Sequence, residues 1–307
     1  MDEKTQRLVD DFVEYRDESP DFSIGFAVIS VITKLINESN ATTFMGIDQE
    51  IRGLITAIEA KCPDLPLHFR GASQVFLAGM PKTSDTSFLN WKSMFFDHGK
   101  HCLRNAKSVL DSIPEYTADF LQHGMTILTR GHDSLVSNSI TMAAAAGKHF
   151  KVIITEGSPI NDGFHMASSL THPNISVSVI PDSSVGLIMN EVDTVIIGTD
   201  LVLEDGGLIA PIGTYAMCAL ANVHRKPVYC ICETFKFTRQ FILNNTDMQN
   251  FQKKMPYKIE KLDKSVLSLG CKVDYTQARF LTLLITEKGP IPPSAVTHEL
   301  TKILGVS

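Results

Sequence analysis

Apolar residues recur at helical spacing through the first third of the chain. Between Phe22 and Ile36, two neighbouring stripes of apolar positions predict a helix that is buried around much of its girth. The same spacing predicts a helix over Ile47–Ile58 and a longer one from about Ser84 to Ile113. The first twenty residues are acidic, which predicts a solvated helix or a partly frayed arm. We therefore predict a helical domain over residues 1–115.

After Pro114, short apolar runs of strand length alternate with helical segments. The predicted strands are Met125–Leu128, Val152–Ile154, Ile175–Ile180, Thr194–Ile197, Val228–Cys232 and Leu281–Ile285. The predicted helices between the early strands are Ser134–Ala146, Asp162–Leu170 and Ser183–Met189. This alternation predicts βαβ units, a parallel sheet and helices on both of its faces. The fold class is therefore α/β, with a Rossmann-like parallel-sheet domain over residues 116–307. Residues from Asn244 to about Cys271 interrupt the pattern and are predicted to form a surface excursion.

The segment from Thr194 to Tyr215 combines a buried strand with polar residues that can bind a ligand. Asp200 follows the strand at its carboxyl end, where open α/β sheets place their ligands. Gly213 and Thr214 lead into a predicted helix, whose first amides and partial positive charge suit a phosphate. These residues can hold a sugar phosphate together. Considered alone, they also fit a turn aspartate and an ordinary capped helix.

Composition and charge narrow the class of protein. The 307 residues are 44% apolar and 20% charged, which suits one large or two ordinary globular domains. The net charge is -6, so the chain lacks the basic character of proteins that bind nucleic acid or anionic membranes. The start at Asp2 does not resemble a signal peptide, and the apolar run Ile24–Ile36 is too short to span a bilayer. We expect a soluble protein of the cytosol.

The cysteines and the familiar motifs predict neither a metal site nor a cofactor. None of the six cysteines forms a C-x-x-C pair or a zinc-like group with histidine. Cys230 and Cys232 lie within a buried-strand pattern and should behave as small apolar residues. The chain also lacks a P-loop, a dinucleotide-binding fingerprint, a nucleophile elbow and an H-E-x-x-H motif.

A set of motifs at strand ends resembles a known superfamily. In chain order they are Ile127–Thr129, Thr155–Pro159, Asp182–Gly186, Ile197–Asp200 and Ile212–Tyr215. Together they resemble the superfamily that joins methylthioribose-1-phosphate and ribose-1,5-bisphosphate isomerases to the regulatory subunits of initiation factor 2B. Within it, Glu233–Phe237, Asp274–Thr276 and Pro292–Val296 resemble the alpha-subunit group. The resemblance covers nearly the whole chain and is strongest from 123 to 300.

Several positions depart from the isomerase pattern. The isomerases have a T-H-C-N motif whose cysteine is catalytic and acts with an aspartate at the position of Asp200. Here the motif reads T-R-G-H, and Gly131 has no side chain with which to move a proton. Ser158 stands where the isomerases have an arginine, and Pro211 stands where they have a lysine. The resemblance therefore implies a protein without catalytic residues, whose former active site is degenerate.

The resemblance also implies partners. It predicts a regulatory subunit of the guanine-nucleotide exchange complex for initiation factor 2, in which another subunit carries the exchange activity. The chain would join the other subunits as a homodimer and help to sense phosphorylated initiation factor 2. We expect Phe280–Ile285 and Pro292–Val296 to supply the dimer contact. The first alternative is an aldose–ketose isomerase that uses His132 or Asp133 with Asp200. The second is a free-standing metabolite-binding protein.

Five residues are candidates for binding. Arg52 resembles the position of a phosphate-binding arginine of the isomerases. With Asp200, Gly213 and Thr214 it would form a vestigial pocket for a sugar phosphate or a nucleoside monophosphate. Phe241 follows an alternating aromatic and basic stretch and is a candidate partner anchor. The alternative for Phe241 is a core contact beneath the following loop.

Overall fold

The computed structural model describes residues 2–18, 24–62, 68–78, 87–242 and 271–304. Contacts between Cα atoms divide the chain into two compact units. The helical unit contains Met1–Val109, Phe235–Phe237 and Thr301–Ser307, and the α/β unit contains Leu110–Thr234 and Thr238–Leu300. The domain boundary between residues 115 and 116 stays a prediction.

The helical unit is built from amphipathic and buried helices. Its helices are α1 (Glu3–Glu18), α2 (Ile24–Glu38), α3 (Phe44–Lys61), α4 (His68–Ala78) and the first two thirds of α5 (Phe88–Ala118). The prediction that α2 is buried around its girth is confirmed, because ten of its fifteen residues are buried. The predicted apolar stripe of α3 is buried as well, and the Thr43 side chain caps this helix by accepting a hydrogen bond from Gly46 N. Helix α5 continues through Pro114, beyond its predicted end at Ile113.

The acidic first residues form helix α1, as predicted, but this helix is solvated on its polar face only. Leu8, Val9 and Phe12 are fully buried in spite of the acidic residues around them. The Phe12 ring meets Phe69 of α4 edge to face, with ring centroids 5.6 Å apart. These three apolar residues attach an otherwise polar helix to the core.

The α/β unit contains a seven-stranded sheet in the order β11-β10-β7-β4-β1-β2-β3. Its strands are β1 (Thr126–Arg130), β2 (Phe150–Thr155), β3 (Ile175–Ile180), β4 (Thr194–Ile197), β7 (Val228–Ile231), β10 (Leu283–Thr286) and β11 (Gly289–Ile291). The pairs are parallel except that of β10 with β11. The six predicted strands and the parallel sheet are therefore confirmed. Since β1 lies between β4 and β2, the chain order reverses at the middle of the sheet, where such folds place ligands.

Helices connect these strands and supply the layers around the sheet. They are α6 (Ser134–Ala145), α7 (Gly163–Ser169), α8 (Val185–Ile188), α9 (Thr214–Val223) and α10 (Val296–Leu304). Residues of α6 and α7 join those of β1, β2, β4 and β7 in one apolar cluster. Cys230 and Cys232 are fully buried, as predicted for small apolar residues.

A second sheet of four short strands was not predicted from the sequence. Its order is β8-β5-β6-β9, with β5 (Leu201–Leu203), β6 (Leu208–Pro211), β8 (Phe237–Thr238) and β9 (Val273–Thr276). Strands β5 and β6 form an antiparallel hairpin, and β9 pairs antiparallel with β6. This hairpin leads directly from Asp200 to the start of α9, so one small sheet positions both.

Strand β10 lies between β7 and β11, and Leu284 and Ile285 are fully buried. Because both edges of β10 are paired within the chain, this strand cannot pair with a strand of a partner. The contribution of Phe280–Ile285 and Pro292–Val296 to a homodimer stays a prediction. The predicted surface excursion after Asn244 lies outside the described residues, apart from Cys271 at its end. Across the described parts of the chain, none of the helices has the length and apolar character needed to cross a bilayer.

Candidate functional site

Asp200 lies at the carboxyl end of the central strand β4, as the sequence predicts. The Thr199 hydroxyl is 2.9 Å from the Leu201 carbonyl oxygen and 2.8 Å from that of Ile209. The Asp200 amide donates to the same Ile209 carbonyl at 3.0 Å. These bonds fix the backbone that carries the Asp200 carboxylate at the entry to the β5–β6 hairpin.

Gly213 and Thr214 begin α9, but a carboxylate of the protein already meets this helix start. Gly213 has a φ of 100°, and its amide donates to Asp274 Oδ2 at 2.7 Å. The Tyr215 amide lies 3.2 Å from both Asp274 oxygens. The Thr214 hydroxyl donates to the Pro211 carbonyl at 2.6 Å. In this structure, the amides predicted to bind a phosphate donate to Asp274.

Arg130, the last residue of β1, is a site residue that the sequence analysis did not assign. Its side chain is 4% exposed. A Cβ placed on Gly213 would lie 2.8 Å from Arg130 Nε, so this guanidinium packs against the start of α9. Its Nε is buried without a hydrogen-bond partner. The sequence shows an arginine at the end of an apolar strand, but nothing in that local pattern indicates that its side chain is buried.

Two carboxylates flank Arg130. Asp182 Oδ1 is 3.8 Å from Arg130 Nε, and the Asp182 oxygens accept from the amides of Gly157 at 3.3 Å and Ser158 at 2.7 Å. The second carboxylate is Asp274, whose pKa Arg130 lowers electrostatically. The site therefore holds one buried cation, two carboxylates and a helix N-terminus at the carboxyl edge of the sheet.

Burial dominates the acidity of Asp274. Loss of solvation raises the pKa of its carboxyl to about 6, although the Gly213 and Tyr215 amides and Arg130 all act to lower it. The neighbouring Cys218 thiol has a raised pKa, because it is buried and lies near Asp274. Asp274 is thus a carboxyl group that changes charge only slightly below neutral pH.

The Gly131 backbone adopts a conformation that suits glycine. Its φ is 64°, and a Cβ at this position would lie 2.8 Å from Asp162 Oδ2. Asp162 Oδ1 is buried without a hydrogen-bond partner. A side chain at residue 131 would therefore meet both backbone strain and the Asp162 carboxylate.

The two residues named for a relocated isomerase site lie beside Gly131. The His132 ring stacks on His165 with centroids 4.2 Å apart. Partial burial and the neighbouring His165 lower the pKa of His132, which keeps it neutral at pH 7. Asp133 Oδ1 accepts from Val136 N at 3.1 Å, so this carboxylate caps α6.

The remaining candidates lie elsewhere in the chain. Arg52 belongs to α3 of the helical unit, is 74% exposed and pairs with Asp48, with Nε 2.6 Å from Oδ2. The structure therefore groups Gly213 and Thr214 with Arg130 and Asp274, while Arg52 belongs to the other unit. The binding roles of Arg52, Asp200, Gly213 and Thr214 stay predictions.

Phe241 is 54% exposed, which leaves it accessible on the described surface. Phe237 is fully buried, and Phe235 packs edge to face on Phe26 with centroids 5.4 Å apart. The two aromatic side chains that precede Phe241 in the alternating stretch are therefore packed within the chain. The role of Phe241 as a partner anchor stays a prediction.

Candidate metal ligands do not gather in this structure. Over the residues it describes, three or more histidine, cysteine or acidic side chains do not come together in a geometry that could hold a metal ion. The groups near the candidate site are instead arranged for hydrogen bonding and charge balance.

Known proteins resemble this chain over nearly its whole length. The translation initiation factor eIF2B subunit alpha of Dictyostelium discoideum is 31% identical over 96% of this chain and 96% of its own. The ribose 1,5-bisphosphate isomerase of Methanocaldococcus jannaschii is 28% identical over 70% of each chain. A chain of the tetrameric eIF2B-beta2-delta2 complex from C. thermophilum has the same fold, with a TM-score of 0.76 at 15% identity over 97% of this chain and 94% of that one.

The family model named initiation factor 2 subunit family matches residues 17–293, well over half of the chain. This match agrees with the motifs at the strand ends and with the shared architecture of a helical region followed by a mostly parallel sheet. The chain therefore belongs to the initiation factor 2 subunit family.

Proposed function

We propose that this chain is a non-catalytic regulatory subunit of an eIF2B complex, the guanine-nucleotide exchange factor for initiation factor 2. The alpha subunit from Dictyostelium discoideum matches it from end to end, whereas the archaeal isomerase matches 70% of it. Nucleotide exchange would be carried by another subunit, and the protein would work in the cytosol. The surroundings of Gly131 support the proposed absence of isomerase activity.

The supporting observation is the surroundings of Gly131. The isomerases that the chain resembles need a cysteine at this position, and proton transfer between neighbouring carbons needs a side chain in reach of both. A cysteine at residue 131 would meet both an unfavourable backbone conformation and the Asp162 carboxylate, which supports the proposed loss of catalysis. Both the replaced residue and the backbone conformation of the loop around it would thus be unsuited to isomerase catalysis.

An isomerase assay tests this proposal. The purified chain is incubated with ribose 1,5-bisphosphate or methylthioribose 1-phosphate, and the ketose products are measured. We expect no turnover above background. Turnover that Asp200→Asn abolishes would contradict the proposal and favour the isomerase alternative. A parallel His132→Gln variant would then show whether the neutral His132 serves as the base.

Co-purification tests the assignment to a complex. The tagged chain is isolated under native conditions from its source cells, and the bound proteins are identified by mass spectrometry. We expect the remaining eIF2B subunits in stoichiometric amounts. A chain recovered alone would contradict the proposal and favour a free-standing metabolite-binding protein.

The chain would join the complex as a homodimer. We propose that exposed apolar side chains of the α/β unit contribute to the contact. One of them is Leu187 of α8, which is 83% exposed. A two-fold axis would bring this helix against its copy.

The subunit would help to sense phosphorylated initiation factor 2. Phe241 supports this role, because an aromatic side chain that is 54% exposed is a suitable partner anchor. The helical domain would face the phosphorylated factor, as the family resemblance implies. Exchange by the reconstituted complex, measured with and without phosphorylated factor, tests both statements.

The former active site would bind a phosphorylated small molecule weakly. Asp200 can accept hydrogen bonds from sugar hydroxyls, and Arg130 adds a buried cation that the sequence analysis did not include. Ser158 and Pro211 remove two polar contacts, each worth ~1.5–3 kcal/mol. A loss of that size predicts dissociation constants in the micromolar-to-millimolar range, at ~1.4 kcal/mol per tenfold.

Thermal-shift titration with ribose 5-phosphate and adenosine monophosphate tests the pocket. A ligand that binds only the folded chain raises its melting temperature. We expect a shift at millimolar ligand that is reduced in Arg130→Gln, and Arg52→Ala tests the predicted role of Arg52. No shift with either compound would contradict binding at this site.

A further inference from the structure

Asp274 holds the position at which the proposed pocket would bind an anion. Its Oδ2 accepts from the Gly213 amide at 2.7 Å, and the Tyr215 amide lies 3.2 Å from both of its oxygens. A phosphate at the start of α9 would need the same donors. We propose that Asp274 is a built-in competitor for anionic ligands, so that an anion binds here together with one proton. This inference rests on the proposed function, because it takes the pocket to bind phosphorylated molecules.

Arg130 shows that this helix start is more than an ordinary capped terminus. Its guanidinium is 4% exposed, yet its Nε has no hydrogen-bond partner. A buried donor without an acceptor is unfavourable, and an oxygen of a bound anion would satisfy it. The nearest oxygen of Asp182 is 3.8 Å away, beyond hydrogen-bond distance. The guanidinium packs against Gly213 and is close enough to Asp274 to lower the pKa of its carboxyl electrostatically.

The charges at the site explain why Asp274 must lose its own charge first. With Asp274 ionised, the guanidinium of Arg130 and the partial charge of α9 are balanced by Asp182 and Asp274. An entering dianion would then meet like charge at close range. With Asp274 protonated, one negative charge fewer lies beside Arg130 and the start of α9. The amides of Gly213 and Tyr215 can then donate to the ligand.

Asp274 is the group in these surroundings that changes charge in the relevant range. Burial raises the pKa of its carboxyl to about 6. Facing it are Cys218 on α9, whose thiol stays neutral because burial raises its pKa, and the guanidinium of Arg130 on β1. The paired strand β6 reads Leu-Ile-Ala-Pro and contributes no charge. On its own strand, Tyr275 stays neutral because burial raises its pKa, and Lys272 precedes the strand.

Calorimetric titration with sulfate tests the inference. Sulfate remains a dianion between pH 5 and pH 8, so the pH dependence of its binding reports groups of the protein. The full-length His132→Gln variant serves as the background, because it removes the histidine that lies two residues after Arg130. We expect an association constant that is nearly level below pH 6 and falls about tenfold per pH unit above it, as uptake of one proton requires.

Asp274→Asn in the same background has no proton to take up. We expect its association constant for sulfate to stay level from pH 5.5 to 8 and to exceed that of the parent about a hundredfold at pH 8. If this variant does not fold, titration of the parent at pH 7.5 in two buffers of different ionisation enthalpy provides the same information. About one proton should be taken up for each sulfate bound.

Different failures overturn different statements. The role of Asp274 is overturned if sulfate binds with the same pH profile in the parent and in Asp274→Asn. It is also overturned if sulfate binds without proton uptake. Either result leaves the proposed pocket intact. No sulfate binding to either protein at pH 5.5 overturns the proposed pocket as well. Adding Arg130→Gln to Asp274→Asn should abolish binding, and binding that persists places the sulfate elsewhere and overturns the inference.

Discussion

The Asp162 carboxylate lies against Gly131, with Oδ2 2.8 Å from the position that a Cβ at residue 131 would take. Gly131 has a φ of 64°, a conformation that side-chain-bearing residues seldom adopt. The glycine and the aspartate are therefore matched to one another. Restoring a cysteine at residue 131 would disturb both the backbone and Asp162.

We expect Gly131→Cys to lower the free energy of unfolding by about 1–3 kcal/mol and to leave the chain without isomerase activity. Urea denaturation and the ketose assay measure the two effects. Gly147→Cys is the matched control, because Gly147 has a φ of 90° but nothing within 4 Å of an added Cβ. Equal destabilisation of the two variants would show that Asp162 moves aside at no cost.

The buried carboxyl of Asp274 should make stability fall as pH rises. Its folded-state pKa of about 6 exceeds the value of ~4 for a solvated aspartate. Below pH 4 both states carry the proton. Between pH 4 and 6 the unfolded chain releases it while the folded chain keeps it, so the free energy of unfolding declines on the order of 2–3 kcal/mol from this group.

Asp274→Asn removes that decline. Relative to the wild type, the variant should gain on the order of 2 kcal/mol in free energy of unfolding between pH 4.5 and pH 7. Urea denaturation at the two pH values gives this difference directly, because contributions from all other groups cancel. A stability difference that is the same at both values would show that the pKa of Asp274 is not raised by burial.

A charge at Leu187 should separate the homodimer. Leu187→Glu places a carboxylate in the proposed apolar contact, and we expect light scattering at micromolar concentration to show monomers. Val223→Glu is the control, since Val223 is 75% exposed and belongs to a different helix, α9. A Leu187→Glu protein that remains dimeric would exclude this surface, and a monomeric wild type would contradict the dimer itself.

Phe241 should affect the partner more than the fold. Because its side chain is 54% exposed, Phe241→Ala should leave the melting temperature nearly unchanged and weaken the response of the complex to phosphorylated initiation factor 2. Phe237→Ala, at a fully buried position, should instead destabilise the chain by about 3–5 kcal/mol. A comparable loss of stability for Phe241→Ala would assign it to the core.

The parallel sheet was predictable because each of its buried strands is a continuous apolar run. The small sheet was not, since its strands span two to four residues and carry no periodic signal. The same limit applies to the site. The contact between Gly213 and Asp274 joins residues 61 positions apart, and it exists only because β9 pairs with β6.

Helix α1 shows how an acidic composition can mislead a prediction. Its many acidic residues suggested a fully exposed helix, whereas Leu8, Val9 and Phe12 lie on one face and bury that face. Arg130 was overlooked for a related reason. A strand-end arginine has no local pattern that separates a surface cation from a buried one.

The pairing of Phe26 with Phe235 has a consequence for synthesis on the ribosome. Phe235–Phe237 belong to the helical unit, although the preceding part of that unit ends at Val109. The first unit of the chain thus includes an aromatic side chain that is translated more than a hundred residues later. At ~5–20 residues per second, this side chain is added several seconds or longer after the helices. Until then the contact between Phe26 and Phe235 cannot form, and a fragment that ends at residue 109 would never form it.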